Sequence, residues 1–208
     1  MDSVVYLIKT GQFLCQDWDD KTLRKQLTSQ GIDARRMSRF IQLALLGALP
    51  LKEHLRANTA IYLGSGFSSP SKFNKMFRQL NEENIPSPLD FMANLNNAAT
   101  FQVAQSLNVS GNSVFLAINQ HTFLQPLKLA LLDLQLRQCE NALVGWAFER
   151  YQAEQQEGSC WWLLSHNAQG ALATIPCVLQ KQSENRPHFL QQIIDLQAEI
   201  LNGQQIVL

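Results

Sequence analysis

The stretch that decides the fold runs from position 113 to position 121 and reads Ser113-Val114-Phe115-Leu116-Ala117-Ile118-Asn119-Gln120-His121. It is an apolar run of strand length that stops at polar residues. Because its apolar residues do not alternate with polar ones, the run predicts a strand covered on both faces, as in a parallel sheet. A predicted helix over residues 122–138 follows directly, which is the strand-to-helix order of an α/β unit.

Apolar runs of similar length lie on both sides of this stretch. Residues 4–8, ended by Gly11, and residues 59–63 and 142–148 predict further strands, with helical spacing at 32–49, 69–80 and 89–107. Residues 160–165 and 171–179 predict an antiparallel hairpin, and a last helix is predicted over 187–202. The pattern as a whole indicates an α/β fold with a mostly parallel sheet flanked by helices, in a single domain over 1–208.

The composition narrows the class of protein. Of 208 residues, 46% are hydrophobic and 16% are charged, with 17 basic residues balanced by 17 acidic ones. Zero net charge argues against a protein that binds nucleic-acid backbones, and no apolar run reaches the length of a membrane span. Asp2 stands where a signal peptide would carry a basic residue, so we expect a cytoplasmic protein. The four cysteines form no C-x-x-C pair, and we expect no disulfide framework, no metal site and no cofactor.

Few residues of the sequence point to chemistry. Gly64-Ser65-Gly66 follows a predicted strand, but a third glycine and a Gly-Lys-Ser/Thr motif are missing, so a tight strand-to-helix turn is favoured over a phosphate loop. Among the four histidines, His121 lies where ligands gather in open α/β sheets, whereas His188 is interpreted as solvated. Gln120, next to His121, has neither nucleophilicity nor a titrating proton.

Five segments, taken in order, resemble the N-terminal half of the β-ketoacyl synthases. In that family a buried strand runs into a nucleophilic cysteine, and GNSVFLAINQ at 111–120 is similar to this strand. Four more segments are similar to other family motifs: RMSRFIQLA at 36–44, IYLGSG at 61–66, NAATFQVA at 97–104 and ENALVG at 140–145. The resemblance covers about residues 4–179 and is most specific in the joint order of the segments.

The resemblance implies half of a thiolase-type fold without condensation activity. Gln120 occupies the position of the nucleophilic cysteine, and an amide cannot be acylated as a thiolate is. The sequence ends before the family's C-terminal half, which supplies two catalytic histidines. A glutamine at this position is similar to the chain length factors of type II polyketide systems, and half-length members are associated with aryl polyene and fatty-acid-like pathways. The implied function is therefore a non-catalytic subunit that pairs with an active ketosynthase.

The resemblance also implies where contacts lie. In the family the strand before the nucleophile pairs with its equivalent across a dimer axis, which makes residues 113–119 the expected interface with the ketosynthase. Phe91 and Met92 match the segment that approaches the acyl pocket, beside Gln120 and His121, where bulky side chains would limit chain length. Ordinary core packing is the alternative interpretation of Phe91 and Met92.

The resemblance also bears on the placement of two predicted helices. The helix over 123–136, apolar around most of its circumference, is expected between two sheets. The last helix either covers the side that a second half would occupy or closes its own sheet as an ordinary amphipathic helix.

Two other functions stay open at the level of sequence. One is decarboxylation of a malonyl group on a carrier protein, using Gln120 and His121. The other is a binding module for acyl carrier protein, in which Arg35, Arg36 and Arg39 would face an acidic partner.

Overall fold

The computed structural model describes residues 4–67, 69–85, 87–152, 155–175 and 188–203. The strands are β1 (Val5–Cys15), β2 (Ala60–Ser65), β3 (Ser113–Ala117), β4 (Asn141–Phe148), β5 (Glu157–Ser165) and β6 (Ala173–Ile175). The helices are α1 (Asp20–Ser29), α2 (Arg39–Ala48), α3 (Pro70–Asn81), α4 (Pro88–Ala93), α5 (Ala98–Leu107), α6 (Gln125–Gln135) and α7 (Phe189–Leu201), and a 3₁₀ helix spans Leu49–His54.

The six strands form one mixed sheet in the order β3-β2-β4-β5-β1-β6. The α/β class is confirmed, but the expectation of a mostly parallel sheet is wrong. Strand β2 pairs in parallel with β3 and β4, whereas the β4–β5, β5–β1 and β1–β6 pairings are antiparallel. The reason is connection length: helices link β2 to β3 and β3 to β4, while the few residues between β4 and β5 allow an antiparallel return only.

The predicted hairpin of residues 160–165 with 171–179 is also wrong in its pairing. Strand β1 lies between β5 and β6, so that Tyr6 is opposite Ser165 on one side and Thr174 on the other. The true antiparallel hairpin is β4–β5. The sequence predicted both β5 and β6 as strands. They are neighbours in sequence, but β1 lies between them in the sheet. Residues 176–179 of the prediction lie outside the described part.

Two layers of helices cover the sheet. Helices α1, α2 and α5 pack on one face, and α6 and α7 pack on the other. Strand β4 is buried along its whole length and contributes Leu143 to the first core and Val144 and Trp146 to the second. Its unbroken apolar run therefore does report a strand covered on both faces.

The start of the chain departs from the prediction in two places. Strand β1 continues through Gly11 to Cys15. Gly11 has a packing role there, because a Cβ at position 11 would lie 2.3 Å from the carbonyl oxygen of Gly47 in α2. Helix α1 was not predicted, although Asp19 caps it by accepting a hydrogen bond from the Thr22 N–H at 2.7 Å. The helix predicted from residue 32 begins at Arg39, since Ser38 caps it.

Helices α6 and α7 lie in the same layer. Helix α6 buries one side against β2 and β4 and leaves Leu132 exposed on the other, so this chain covers the apolar helix on one side. Helix α7 packs its apolar side on β4, β5 and β6, which makes it an amphipathic helix that closes its own sheet. Gln197 fastens it by accepting hydrogen bonds from the Trp162 Nε1–H at 2.8 Å and the Cys160 thiol at 3.2 Å.

Candidate functional site

The polar residues after β3 form a closed turn. The side-chain oxygen of Asn119 accepts hydrogen bonds from the backbone N–H groups of His121, at 2.8 Å, and Thr122, at 3.1 Å. The Asn119 N–H in turn donates to the Thr122 hydroxyl at 2.9 Å. This arrangement holds Gln120 and His121 at the exposed tip of the turn, at the carboxyl end of the parallel strands.

Two other elements meet the turn. Gln192 of α7 donates from Nε2 to the backbone carbonyl of Gln120 at 2.9 Å. A side chain at Gly66, just after β2, would lie 3.3 Å from the Ile118 carbonyl, and one at Gly64 would lie 2.6 Å from Pro126 of α6. Close packing against α6 thus explains why position 64 is glycine, which agrees with the tight turn favoured over a phosphate loop.

His188 belongs to this end of the sheet, although it was interpreted as solvated. Its ring packs on Phe148 at the end of β4, with 4.1 Å between ring centroids, and its Nδ1 accepts a hydrogen bond from the Leu190 N–H at 3.3 Å. Burial lowers the pKa of His188, so the ring is neutral at pH 7 with its proton on Nε2. One helical turn separates it from Gln192. In the sequence, the position of His188 just before an apolar helical pattern was the feature that could have indicated its place at the start of α7.

Strand β3 is an edge strand, and the expectation that it is covered on both faces is wrong. It pairs with β2 along one side, and Val114, Phe115 and Leu116 are half-buried while Ser113 and Ala117 are exposed. Ile118 is buried and Asn119 is exposed. An apolar run reports the side chains of a strand and not its place in the sheet. At this edge, no strand of the described residues pairs with the N–H and C=O groups on the outer side of β3.

Phe91 and Met92 lie on the surface, with 59% and 61% of their areas exposed, so core packing does not explain them. They belong to the α3–α4 arm, which we define as residues 69–85 and 87–95. Adjacent aromatic rings extend the apolar surface: Phe67 contacts Phe73, and Phe73 stacks on Phe77. Other large exposed apolar side chains of the arm are Leu80, Ile85, Leu89 and Leu95. Such an extended apolar surface is typical of a protein–protein contact.

The three arginines proposed for an acidic partner differ in environment. Arg39 is largely buried, where it pairs with the buried Glu157 and with Asp20 at 2.8 Å, so it is not a surface residue. Arg35 is exposed and pairs with Asp33 at 2.6 Å. Arg36 is exposed as well. The positive surface available to a partner is therefore smaller than the sequence indicated.

The described residues contain neither a candidate metal site nor a candidate membrane span. No three histidine, cysteine or carboxylate side chains there are grouped so as to hold a metal ion. None of the helices in that part of the chain combines the length and hydropathy required to cross a membrane.

Comparison with known proteins was informative at the level of structure. No protein-family model matches the chain, and no curated protein matches it. AntDE:AntF, a type II acyl carrier protein in complex with its ketosynthase, aligns with a TM-score of 0.68 and 14% identity over 84% of this chain and 68% of that one. The ketosynthase ApeO with its chain length factor ApeC, from Xenorhabdus doucetiae, aligns at 0.59 and 14% over 78% and 79%. The ishigamide ketosynthase/chain length factor aligns at 0.60 and 18% over 76% and 51%.

The chain therefore has a thiolase-type, ketosynthase-like fold. Within that class, the solved structures that it matches include complexes of a ketosynthase with its chain length factor. The chain spans about half the length of the ishigamide protein it matches.

Proposed function

We propose that this chain is a non-catalytic, chain-length-factor-like subunit that pairs with an active ketosynthase. The pair would act in the cytoplasm, elongating polyketide, aryl polyene or fatty-acid-like chains. The observation that carries the proposal is that β3 lies at the edge of the sheet, with no strand of the described residues on its outer side, and that the turn after it presents Gln120. A primary amide offers hydrogen bonds and no nucleophile, so the turn fits a partner's site better than it fits a site of its own.

The α3–α4 arm supports the same proposal. Helix α5, which follows the arm directly in the chain, packs against β2 and β3. An unpaired strand edge and an apolar surface are each unfavourable in water, and one protein partner can cover both. Contact with acyl carrier protein is a secondary part of the proposal, because Arg35 and Arg36 are the exposed arginines of the predicted basic group.

Co-expression with a candidate partner ketosynthase from the same organism tests the proposal. Size-exclusion chromatography should show a stable complex, and the ketosynthase should elongate carrier-bound chains in the complex. The Ile118 N–H donates to Ser65 of β2, so the alternation of a strand points the Ala117 N–H away from β2. Ala117→Pro should therefore weaken the complex while leaving the β2–β3 ladder intact, whereas Ala117→Ser should not. A ketosynthase that is fully active and never binds this chain would refute the proposal.

One observation favours a second candidate, decarboxylation of a malonyl carrier. The neutral ring of His188 belongs to the N-cap residue of α7, four residues before Gln192, which binds the Gln120 carbonyl. An Nε2–H there could donate to a thioester carbonyl. Release of CO₂ from malonyl carrier protein by the purified chain, lost in both His188→Ala and Gln120→Ala, would favour this candidate over the first.

A further inference from the structure

Glu149, the residue directly after β4, joins two helices through one buried carboxylate. Its side chain is fully buried. One oxygen accepts hydrogen bonds from the Phe40 N–H at 2.8 Å and the Ser69 hydroxyl at 3.1 Å, and the other accepts from the Ser71 N–H at 2.9 Å. Phe40 and Ser71 lie in the first turns of α2 and α3, so the carboxylate faces the positive ends of two helix dipoles.

The two helices depend on this carboxylate to different degrees. Helix α2 has its own cap, Ser38, and packs in the core through most of its residues. At the start of α3, Ser69 makes no capping hydrogen bond to the helix, because its hydroxyl donates to Glu149. Within α3, Pro70 is the buried residue. Helix α3 is therefore attached to the body of the molecule at its first turn, where Glu149 is the polar anchor.

Beyond that turn, α3 contacts α4 through its polar side. Lys72 and Lys75 lie 3.6 and 3.2 Å from the carboxylate of Asp90. The side-chain oxygens of Gln79 and Asn94 are buried, and no hydrogen-bond donor of the described residues reaches them. Because residues three and four apart share a helix face, these polar contacts turn the apolar stripe of α3 outward; the stripe consists of Phe73, Phe77 and Leu80. A polar, incompletely satisfied contact does not hold two helices rigidly.

We propose that Glu149 is a positioning residue that holds the α3–α4 arm by its root and sets the direction in which its apolar stripe faces. The part of the proposal that concerns a partner rests on the proposed function: the stripe, so oriented, is what the ketosynthase binds. Burial raises the pKa of Glu149, and the hydrogen bonds that it accepts oppose this effect. The carboxylate tolerates burial because two helix N-termini surround it.

Hydrogen exchange on the purified chain tests the positioning role without any partner. In Glu149→Gln, amides of 71–81 should exchange about tenfold faster than in the wild type, while those of β4 and α2 change little. Ser38→Ala is the matched control, since it removes a cap from α2 and leaves α3 untouched. Equal exchange of α3 in Glu149→Gln and wild type would overturn the proposal, and so would an equal acceleration of every element.

If Glu149→Gln does not fold, hydrogen exchange of the wild-type chain tests the same proposal. The amides of α3 should then exchange through a local opening that is faster and less dependent on denaturant than the opening of β4. Exchange of α3 by global unfolding only would overturn the proposal.

A binding experiment tests the part that involves the partner. Glu149→Gln should lower the affinity for the ketosynthase about tenfold, and Ser38→Ala should leave it unchanged. Unchanged affinity in Glu149→Gln would overturn this part. If the wild type itself does not bind the ketosynthase, the proposed function fails, and the exchange result by itself decides the role of Glu149.

Discussion

The side chain of Gln192 donates a hydrogen bond to the backbone carbonyl of Gln120, 72 residues away in the chain. The contact joins α7 to the turn at the end of β3. Because it uses the backbone of Gln120, it leaves the Gln120 side chain out of the bond. This hydrogen bond can therefore form whichever side chain occupies position 120.

This separation predicts different results at the two positions. Gln120→Ala should leave the complex intact and change turnover by the ketosynthase only modestly, because the exposed amide does no covalent work. Gln192→Ala should lower the stability of the chain by about 1 kcal/mol through the lost hydrogen bond. Thermal unfolding and a coupled elongation assay measure the two effects. Complete loss of elongation with an intact Gln120→Ala complex would instead assign this side chain a chemical role.

Product length should depend on the arm. If Phe91 and Met92 end the acyl tunnel of the partner, truncating either to alanine removes side-chain volume and should admit about one or two further two-carbon units. Folding stability should change by less than about 0.5 kcal/mol, because both side chains are exposed in the free chain. Mass spectrometry of the products measures length, and Leu132→Ala, an exposed site on α6, is the control. Unchanged lengths with a normal yield of complex would remove both residues from the site.

The free chain should associate with itself as its concentration rises. The bare edge of β3 and the apolar arm are both surfaces that water solvates poorly. Phe77→Lys should reduce this association without changing the fold. Leu132 is also an exposed apolar residue but lies outside the arm, so Leu132→Lys should have less effect. Analytical ultracentrifugation provides the measurement. A monodisperse wild-type monomer at high concentration would contradict the prediction.

A single methyl group at Gly145 should destabilise the sheet. A side chain there would lie 2.3 Å from the indole of Trp161, which is fully buried in the core beside α2. We expect Gly145→Ala to cost about 2 to 4 kcal/mol of unfolding free energy, since a packed ring cannot move away freely. Gly31→Ala provides the comparison, because that site is open and its backbone strain costs about 1 kcal/mol. Denaturant titration should therefore separate the two variants clearly.

Glu149 should give the chain a defined pH dependence. Its pKa is raised above the unfolded value, so the folded chain binds this proton more tightly than the unfolded chain does. The wild type should accordingly lose stability relative to Glu149→Gln as pH rises from the unfolded pKa through the folded one, and the difference should level off above it. Urea unfolding of both proteins across this range measures the difference. A constant difference would mean that the carboxyl titrates alike in both states.

The amino-acid sequence predicted most of the segments that form strands and helices, although it missed α1, and it predicted the covering of β4 correctly but not that of β3. The unbroken apolar run of β4 indicated a doubly covered strand because burial on both faces removes the need for alternation. Helical spacing indicated helices within 69–80 and 89–107, where the structure has Pro70–Asn81, Pro88–Ala93 and Ala98–Leu107. The order of motifs around residues 111–120 and 140–145 indicated the ketosynthase-like fold.

Tertiary structure decided everything that depends on neighbours distant in the chain. Hydrophobic periodicity reports how many faces of a strand are apolar, but it does not report which strand lies beside it, so the place of β1 between β5 and β6 and the edge position of β3 were not predictable. The contacts of His188 with Phe148 and of Glu149 with Phe40 were equally unpredictable, because each joins residues far apart in the chain. Glu149 caps α2 across 109 positions, and a hydrogen bond of that range exists only once the fold has brought its two ends together.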